Sequence, residues 1–403
     1  MRVGVFLGSQ TPKMGGGFTF QDDVLQALVR LESKHSFVVF SYSARTAINQ
    51  VTAKHLKFVS LRRSFWKLAI SNLPVITAKV IKKVPMVRNW LVMTPIPSFK
   101  RIIRDNGIDI AWFVSPGYGE VDVPYICTVW DLQHRLQPWF PEVSAKDEWN
   151  TREKLHSTGI RRASAVIIGT QSGRQEIINF YGVPSERVKL IPHPTPGFAL
   201  NAPPDKNKQV LTKYGIPEGY LFYPGQFWAH KNHVGLLLAV KVLLEKHGLV
   251  LPVVFVGSDM GNLQHVRRLV DRLGLSAQVH FLGFVPREDL IGLYRNAFAL
   301  TYMTFFGPEN LPPLEAFALG CPVIASNVSG AEEQLGDAAL LVDPKDERQI
   351  ADAIKRLHDD SALRDTLVSH GLARASKWTA DDFVKGVLSI IDEFEPIRRC
   401  WAR

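Results

Sequence analysis

Two α/β domains, each a doubly wound parallel sheet, are what this sequence predicts, on three observations. Its 403 residues exceed what one ordinary core holds. Short apolar runs of strand length alternate with helical patterns along the chain, the mark of a parallel sheet covered on both faces. Residues 195–208, rich in Pro, Asn, Ala and Lys and without periodicity, read as the linker. We place the first domain at 1–195 and the second at 196–380.

Composition narrows the class. Apolar residues make up 46% and charged residues 21%, which fits a soluble globular protein and not a disordered chain. The apolar run at 3–7 is too short for a secretory leader, and a glycine-rich loop follows it. No stretch reaches the roughly 18 uninterrupted apolar residues of a membrane span. Cys127, Cys321 and Cys400 are far apart and odd in number, which fits a reducing cytoplasm without disulfides or a metal-ligand spacing. The net charge of +10 is unevenly placed: no carboxylate lies between Glu32 and Asp105, while fourteen Lys and Arg run from Lys34 to Arg104.

The first domain opens with a strand at 2–7, a loop at 9–17 and a helix at 19–32. Gly15, Gly16 and Gly17 sit between strand and helix, where backbone N–H groups can approach a ligand closely. The spacing is not GxGxxG, so a dinucleotide site is not indicated. A second strand covers 37–42. Residues 61–104 then mix Phe65, Trp66, Trp90 and many aliphatic residues with ten basic ones, and Pro74, Pro85, Pro95 and Pro97 break them into short helices. Apolar faces backed by Lys and Arg suit an anionic membrane surface, so we expect peripheral association at the inner face of a membrane; a packed helical pair with solvated lysines is the other reading. No nucleic-acid motif accompanies the charge, and nucleic acid is not an expected partner.

Strands at 108–114 and 125–130 follow. Asp131 and His134 stand at the carboxyl end of the second, where they can orient and move protons; equally, His134 can simply cap or pack locally. The domain closes with a strand at 165–169, a helix to 181 opened by a Ser172–Gln175 capping box, and a strand at 188–191.

In the second domain, a strand at 220–223 leads into Gln226, His230, Lys231 and His233, then an apolar helix to 246. Lys231 at a helix start is unfavourable unless an anion is present. Strands at 253–257 and 279–283 and helices at 262–273 and 289–295 lead to residues 298–326. There a strand, a loop rich in Gly, Pro and Asn, a short helix opened by Pro312 and Pro313, and another strand follow in turn. Gly320 suits the left-handed residue after that helix. The helix start offers N–H groups around Asn310 and Leu311 to an anion such as a diphosphate. Glu315, about one turn in, can accept two hydrogen bonds from a vicinal diol such as ribose; it can also merely complement the helix dipole. A strand at 339–342 and helices at 348–357, 363–376 and 378–394 complete the chain.

The stretch LPPLEAFALGCPVIAS, followed by SGAEEQLGDAALLVDP, resembles the nucleotide-sugar signature of retaining, family-4-type (group 1) glycosyltransferases, and FGPENLPPLEA resembles one sub-branch of them. The resemblance implies the GT-B fold: two Rossmann-like domains with a cleft between them and a last helix, 381–403, crossing back to the first. It implies an acceptor site in the first domain and donor contacts from Gly16, Gly17, Lys231, Asn310, Leu311 and Glu315. Departures are plain. Gly307 stands where the family carries a glutamate, and Glu309 is the nearest carboxylate to substitute for it. Trp130 replaces a histidine before Asp131, with His134 as the imidazole to replace it. Gln226 replaces an arginine, for which His230 or His233 can compensate.

The expected reaction is transfer of a hexose, of mannose type, from a nucleotide diphosphate sugar with retention. The acceptor would be a saccharide or lipid-linked saccharide, in polysaccharide biosynthesis, with no cofactor and no metal. A nucleotide-sugar 2-epimerase of the same architecture and a non-catalytic membrane-surface protein are the alternatives.

Overall fold

The computed structural model describes residues 1–11, 15–41, 55–61, 99–204 and 208–402. The first domain carries a seven-stranded sheet in the order β3-β2-β1-β4-β5-β6-β7. Its strands are β1 (Arg2–Phe6), β2 (Ser36–Ser41), β3 (Leu56–Ser60), β4 (Ile110–Phe113), β5 (Tyr125–Thr128), β6 (Ala165–Ile168) and β7 (Val188–Leu190). The second carries six strands in the order β10-β9-β8-β11-β12-β13. These are β8 (Tyr220–Pro224), β9 (Val253–Val256), β10 (Val279–Phe281), β11 (Ala297–Tyr302), β12 (Val323–Ser326) and β13 (Ala339–Val342). Every pairing is parallel. Together they make the GT-B architecture. Central strands such as β4, β5 and β9 are buried along their whole length, because helices cover both faces of each sheet.

Seven helices position the cleft and its walls: α1 (Gly16–Arg30), α2 (Glu148–Arg162), α3 (Gln171–Tyr181), α4 (His233–His247), α5 (Arg287–Asn296), α6 (Leu311–Ala318) and α7 (Ala380–Arg398). In both sheets the strand order reverses beside the first strand of the domain, between β1 and β4 and between β8 and β11. Those reversals open a crevice at the carboxyl ends of the strands, and the two crevices face each other.

Three of the differences from the sequence reading concern the first domain. Strand β3 has no counterpart in that reading. It is an edge strand, half-exposed; Leu56 and Phe58 pack toward the core beneath α1 and Val59 toward the core on the other face, and the run is five residues long. Helix α2 is likewise unsignalled. Of its side chains only His156 and Ile160 are buried, too few to print a helical period. The expected capping box at Ser172 is absent. Thr170 caps α3 instead, accepting from the Gly173 N–H at 3.1 Å. Ser172 turns outward, its hydroxyl donating to Glu333 of the second domain at 2.7 Å.

Helix α7 is opened by a true capping box between Thr379 and Asp382. Its Phe383, Val387 and Ile391 are fully buried in the same core as Val3 and Val5 of β1 and Val24 and Leu28 of α1. The chain thus returns to the first domain after building the second. Most of the basic segment, with Phe65, Trp66, Trp90 and its prolines, lies outside the described residues, and with it the expected membrane surface. No described helix is long and apolar enough to cross a membrane.

A candidate active site between the two domains

Loops from the carboxyl ends of β1, β5, β8 and β11 meet in an interdomain cleft of about 1040 Å3. Gly16, Gly17, Asp131, Gln226, Lys231, Glu309, Asn310, Leu311 and Glu315 all line it, although they are spread over three hundred residues of sequence.

The glycine loop works by close approach. A Cβ at Gly17 would sit 2.9 Å from the Trp130 ring, and one at Gly16 would sit 3.2 Å from the Leu311 side chain. A larger residue at Gly17 would displace the Trp130 ring within the first domain, and one at Gly16 would press on Leu311 at the start of α6. Trp130 fills the place of the family's imidazole by packing edge-on against Phe20, with ring centres 6.1 Å apart. Asp131 accepts from the Gln133 N–H at 3.0 Å and lies 3.7 Å from Arg152.

After β8, a short 3₁₀ turn (Ala229–Lys231) delivers Lys231 to the cleft. Asn232 then caps α4, accepting from the Gly235 N–H at 3.0 Å. Lys231 Nζ lies 5.1 Å above the Tyr302 ring and donates to Asn310 Oδ1 at 3.4 Å, a long contact that an anion could displace. Gln226 Oε1 accepts from the Trp228 indole N–H at 3.1 Å.

Glu315 is buried at the base of the cleft, where Tyr294 donates its hydroxyl hydrogen to Oε2 at 2.7 Å. Burial pushes its carboxyl up to about 7, and the tyrosine bond pulls in the opposite direction. Phe284 and Val285, after β10, form another wall, with Arg287 of α5 beside them. Arg287 also stacks over Phe198, 5.0 Å from the ring centre.

Three sequence expectations need correction, and Glu309, which lines the cleft, has a further engagement. His134 does not reach the cleft. It is fully buried inside the first domain, within 3.2 Å of Glu153 and 3.1 Å of the Tyr181 hydroxyl. His233 packs against Phe227, with ring centres 4.4 Å apart, and burial holds its pKa near 3, so it offers no charge. The Asn310 N–H is already taken by Gln334 Oε1 at 2.9 Å. Glu309 is held by the other domain: it accepts from the His193 N–H at 2.7 Å and lies 2.8 Å from His193 Nδ1. Its carboxylate rests on Gly169, where any Cβ would overlap Oε2.

The structure also explains why no glutamate stands at 307. Gly307 has φ of +138°, and a Cβ there would meet the Asn310 amide at 2.6 Å. Sequence reasoning missed Tyr294, Gln334, Arg287 and the contact between Glu142 and His230. Each of these acts through a partner distant in sequence, so no local spacing signals it.

Two family models match the chain: residues 14–196 match "Glycosyltransferase Family 4" and residues 206–374 match "Glycosyl transferases group 1". An O-antigen chain mannosyltransferase B of Escherichia coli is 30% identical over 240 residues, 59% of this chain and 63% of that protein. A serotype-specific mannosyltransferase WbdA of the same species is 27% identical over 222 residues, 54% of this chain and 27% of its own length. The chain therefore spans less than two thirds of these relatives. Among solved structures, Anabaena HepE in complex with UDP and glucose superposes with a TM-score of 0.67 at 18% identity, over 98% of this chain and 100% of that one.

Proposed function

This chain belongs to the group 1, family-4-type glycosyltransferases, and on that premise we propose that it moves a hexose from a nucleotide diphosphate sugar to a saccharide or lipid-linked saccharide, with retention, in polysaccharide biosynthesis. One observation carries the reading. Lys231 and Glu315, 84 residues apart in the chain, line one cleft, the first in the turn just before α4 and the second buried at the base of the cleft. Glu315 would hold the ribose diol. Lys231 and the dipole of α6 would hold the diphosphate as it departs. The two mannosyltransferase relatives favour a mannose-type sugar, and the solved complex with UDP and glucose supports a nucleotide in the cleft. Catalysis is then positioning plus electrostatic support of the leaving group, without a metal ion.

The test is a panel of UDP-, GDP- and ADP-sugars, scored for nucleotide release with and without saccharide acceptors and with a chelator. Lys231→Ala and Glu315→Ala should each abolish transfer, and loss of the two-bond contact from Glu315 to a buried diol should weaken donor binding by on the order of 2–4 kcal/mol. Normal donor affinity in both variants overturns the assignment. Release of an altered free sugar without acceptor would point to the epimerase instead.

A further inference from the structure

The diphosphate end of the cleft is one cation short by sequence, since Gln226 stands in the arginine position and is engaged with Trp228. A different group is built beside it. Glu142 lies in a single helical turn of the first domain (Pro141–Ser144), and His230 directly precedes Lys231 in the second. The Glu142 carboxylate binds His230 twice, accepting from its backbone N–H at 3.0 Å and from ring Nδ1 through a short contact. Both side chains are nearly enclosed, 4% and 12% exposed, and both line the cleft. The surroundings fix the geometry. Phe140 stacks on Phe305 at 6.0 Å, and Phe305 donates its N–H to the His230 carbonyl at 2.8 Å. With Nδ1 committed to the carboxylate, Nε2 is the ring atom left for the cleft.

We propose that His230 is the second diphosphate ligand of this enzyme, with Glu142 of the opposite domain as its positioning residue, so that the anion clamp is complete only when the two domains are together. The proposal rests on the reading that the cleft holds a nucleotide diphosphate sugar. The charges facing the ring are Glu142, Asp131 and Lys231. Burial and Lys231 hold the imidazole toward its neutral form, while Glu142 and Asp131 pull it toward the cation. A diphosphate would tip that balance: the ring takes a proton from solvent as the donor binds, and Nε2–H then donates to a phosphate oxygen. Glu142 keeps the net negative charge that makes this uptake favourable. Its carboxyl stays below the ordinary range, because the His230 contact overcomes the opposing effect of burial.

Isothermal titration calorimetry with GDP-mannose and UDP-glucose tests this, since a diphosphate diester does not itself titrate between pH 6 and 8.5. Runs in buffers of different ionisation enthalpy count the protons taken up. Glu315 changes protonation in the same range, so the readout is the difference between wild type and each variant. His230→Gln, which keeps a donor for Glu142, should weaken binding roughly 10- to 100-fold at pH 6, with the deficit shrinking as pH rises, and should lose the matching proton uptake. Glu142→Gln should move that uptake to lower pH while thermal melting shows both variants folded. Wild-type affinity and proton uptake in His230→Gln overturn the proposal even if the donor site is real. If no member of the UDP-, GDP- and ADP-sugar panel binds wild type, the donor-site reading itself is overturned and the proposal goes with it.

Discussion

At the scale of the residue, the site depends on carboxylates placed where water cannot stabilise them. Glu315 is the clearest case, with its pKa raised to about 7 by burial. A carboxyl whose folded value lies above its ordinary value of 4.5 favours the folded state while protonated. Its contribution is therefore full below about pH 4.5 and is lost as pH rises through 7. In the absence of donor, Glu315→Gln should melt at or above the wild-type temperature at pH 8 and lose that advantage at pH 5. A wild-type protein that stays the more stable one at pH 8 would contradict the burial argument. A diol donating to the ionised carboxylate would pull the value back down, so the variant that gains stability should lose nucleotide. Glu309 shows the opposite placement. Its charge faces His193 and lies over Gly169, so Glu309→Gln should disturb the seating of the second domain before it disturbs the sugar.

At the scale of the element, the loop between β11 and α6 is set by backbone as much as by side chains. Putting the family's glutamate back, Gly307→Glu, should cost about 1–3 kcal/mol for an L residue held in a sparsely populated conformation, before its clash with Asn310 is counted. Denaturant unfolding measures the loss, and no gain in transfer should accompany it. Thr379→Ala should cost about 0.5–2 kcal/mol by removing the cap of α7, read in the same assay. Elements with a continuous apolar run, such as β1, β8, β9, α4 and the β11–α6–β12 crossover with Gly320, are legible from sequence because each carries its own apolar signal. Strand β3 and helix α2 are not, because one is a half-exposed edge and the other nearly all polar. The same contrast holds in the site. Lys231 and Glu315 sit at fixed places in local motifs, whereas Glu142 and His230 meet only after two domains fold and dock. His134 misleads because a histidine after a strand end reads alike whether it turns into the cleft or, as here, into Tyr181 and Glu153.

At the scale of the whole molecule, each domain holds a glutamate of the other. Glu142 reaches His230, Glu309 reaches His193, and Glu333 accepts from the Gln171 and Ser172 N–H groups at the positive start of α3 at 2.6 and 3.0 Å. The charge of the first half is the other global feature. The acid-free interval from Lys34 to Arg104 supplies more positive charge than the whole net excess. If it seats the protein on an anionic leaflet, each engaged Lys or Arg adds roughly 1 kcal/mol. Cosedimentation should then require anionic lipid, and should fade as the Debye length shrinks from about 10 Å at 0.1 M to about 3 Å at 1 M salt. It should also weaken when Lys79, Lys82 and Lys83 are changed together to Glu. Equal binding to neutral and anionic vesicles would leave those lysines as the solvated face of packed helices.

The return of α7 to the first domain also orders events during synthesis. Phe383, Val387 and Ile391 fill a core whose other half, β1 and α1, left the ribosome more than 350 residues earlier. At ~5–20 residues per second, the interval between β7 and α7 alone lasts on the order of 10–40 s. Throughout that time the first domain is a sheet with an open apolar groove, and the second folds while its neighbour is unfinished. The protein is one folding problem drawn as two domains, because α7 completes the core of the first.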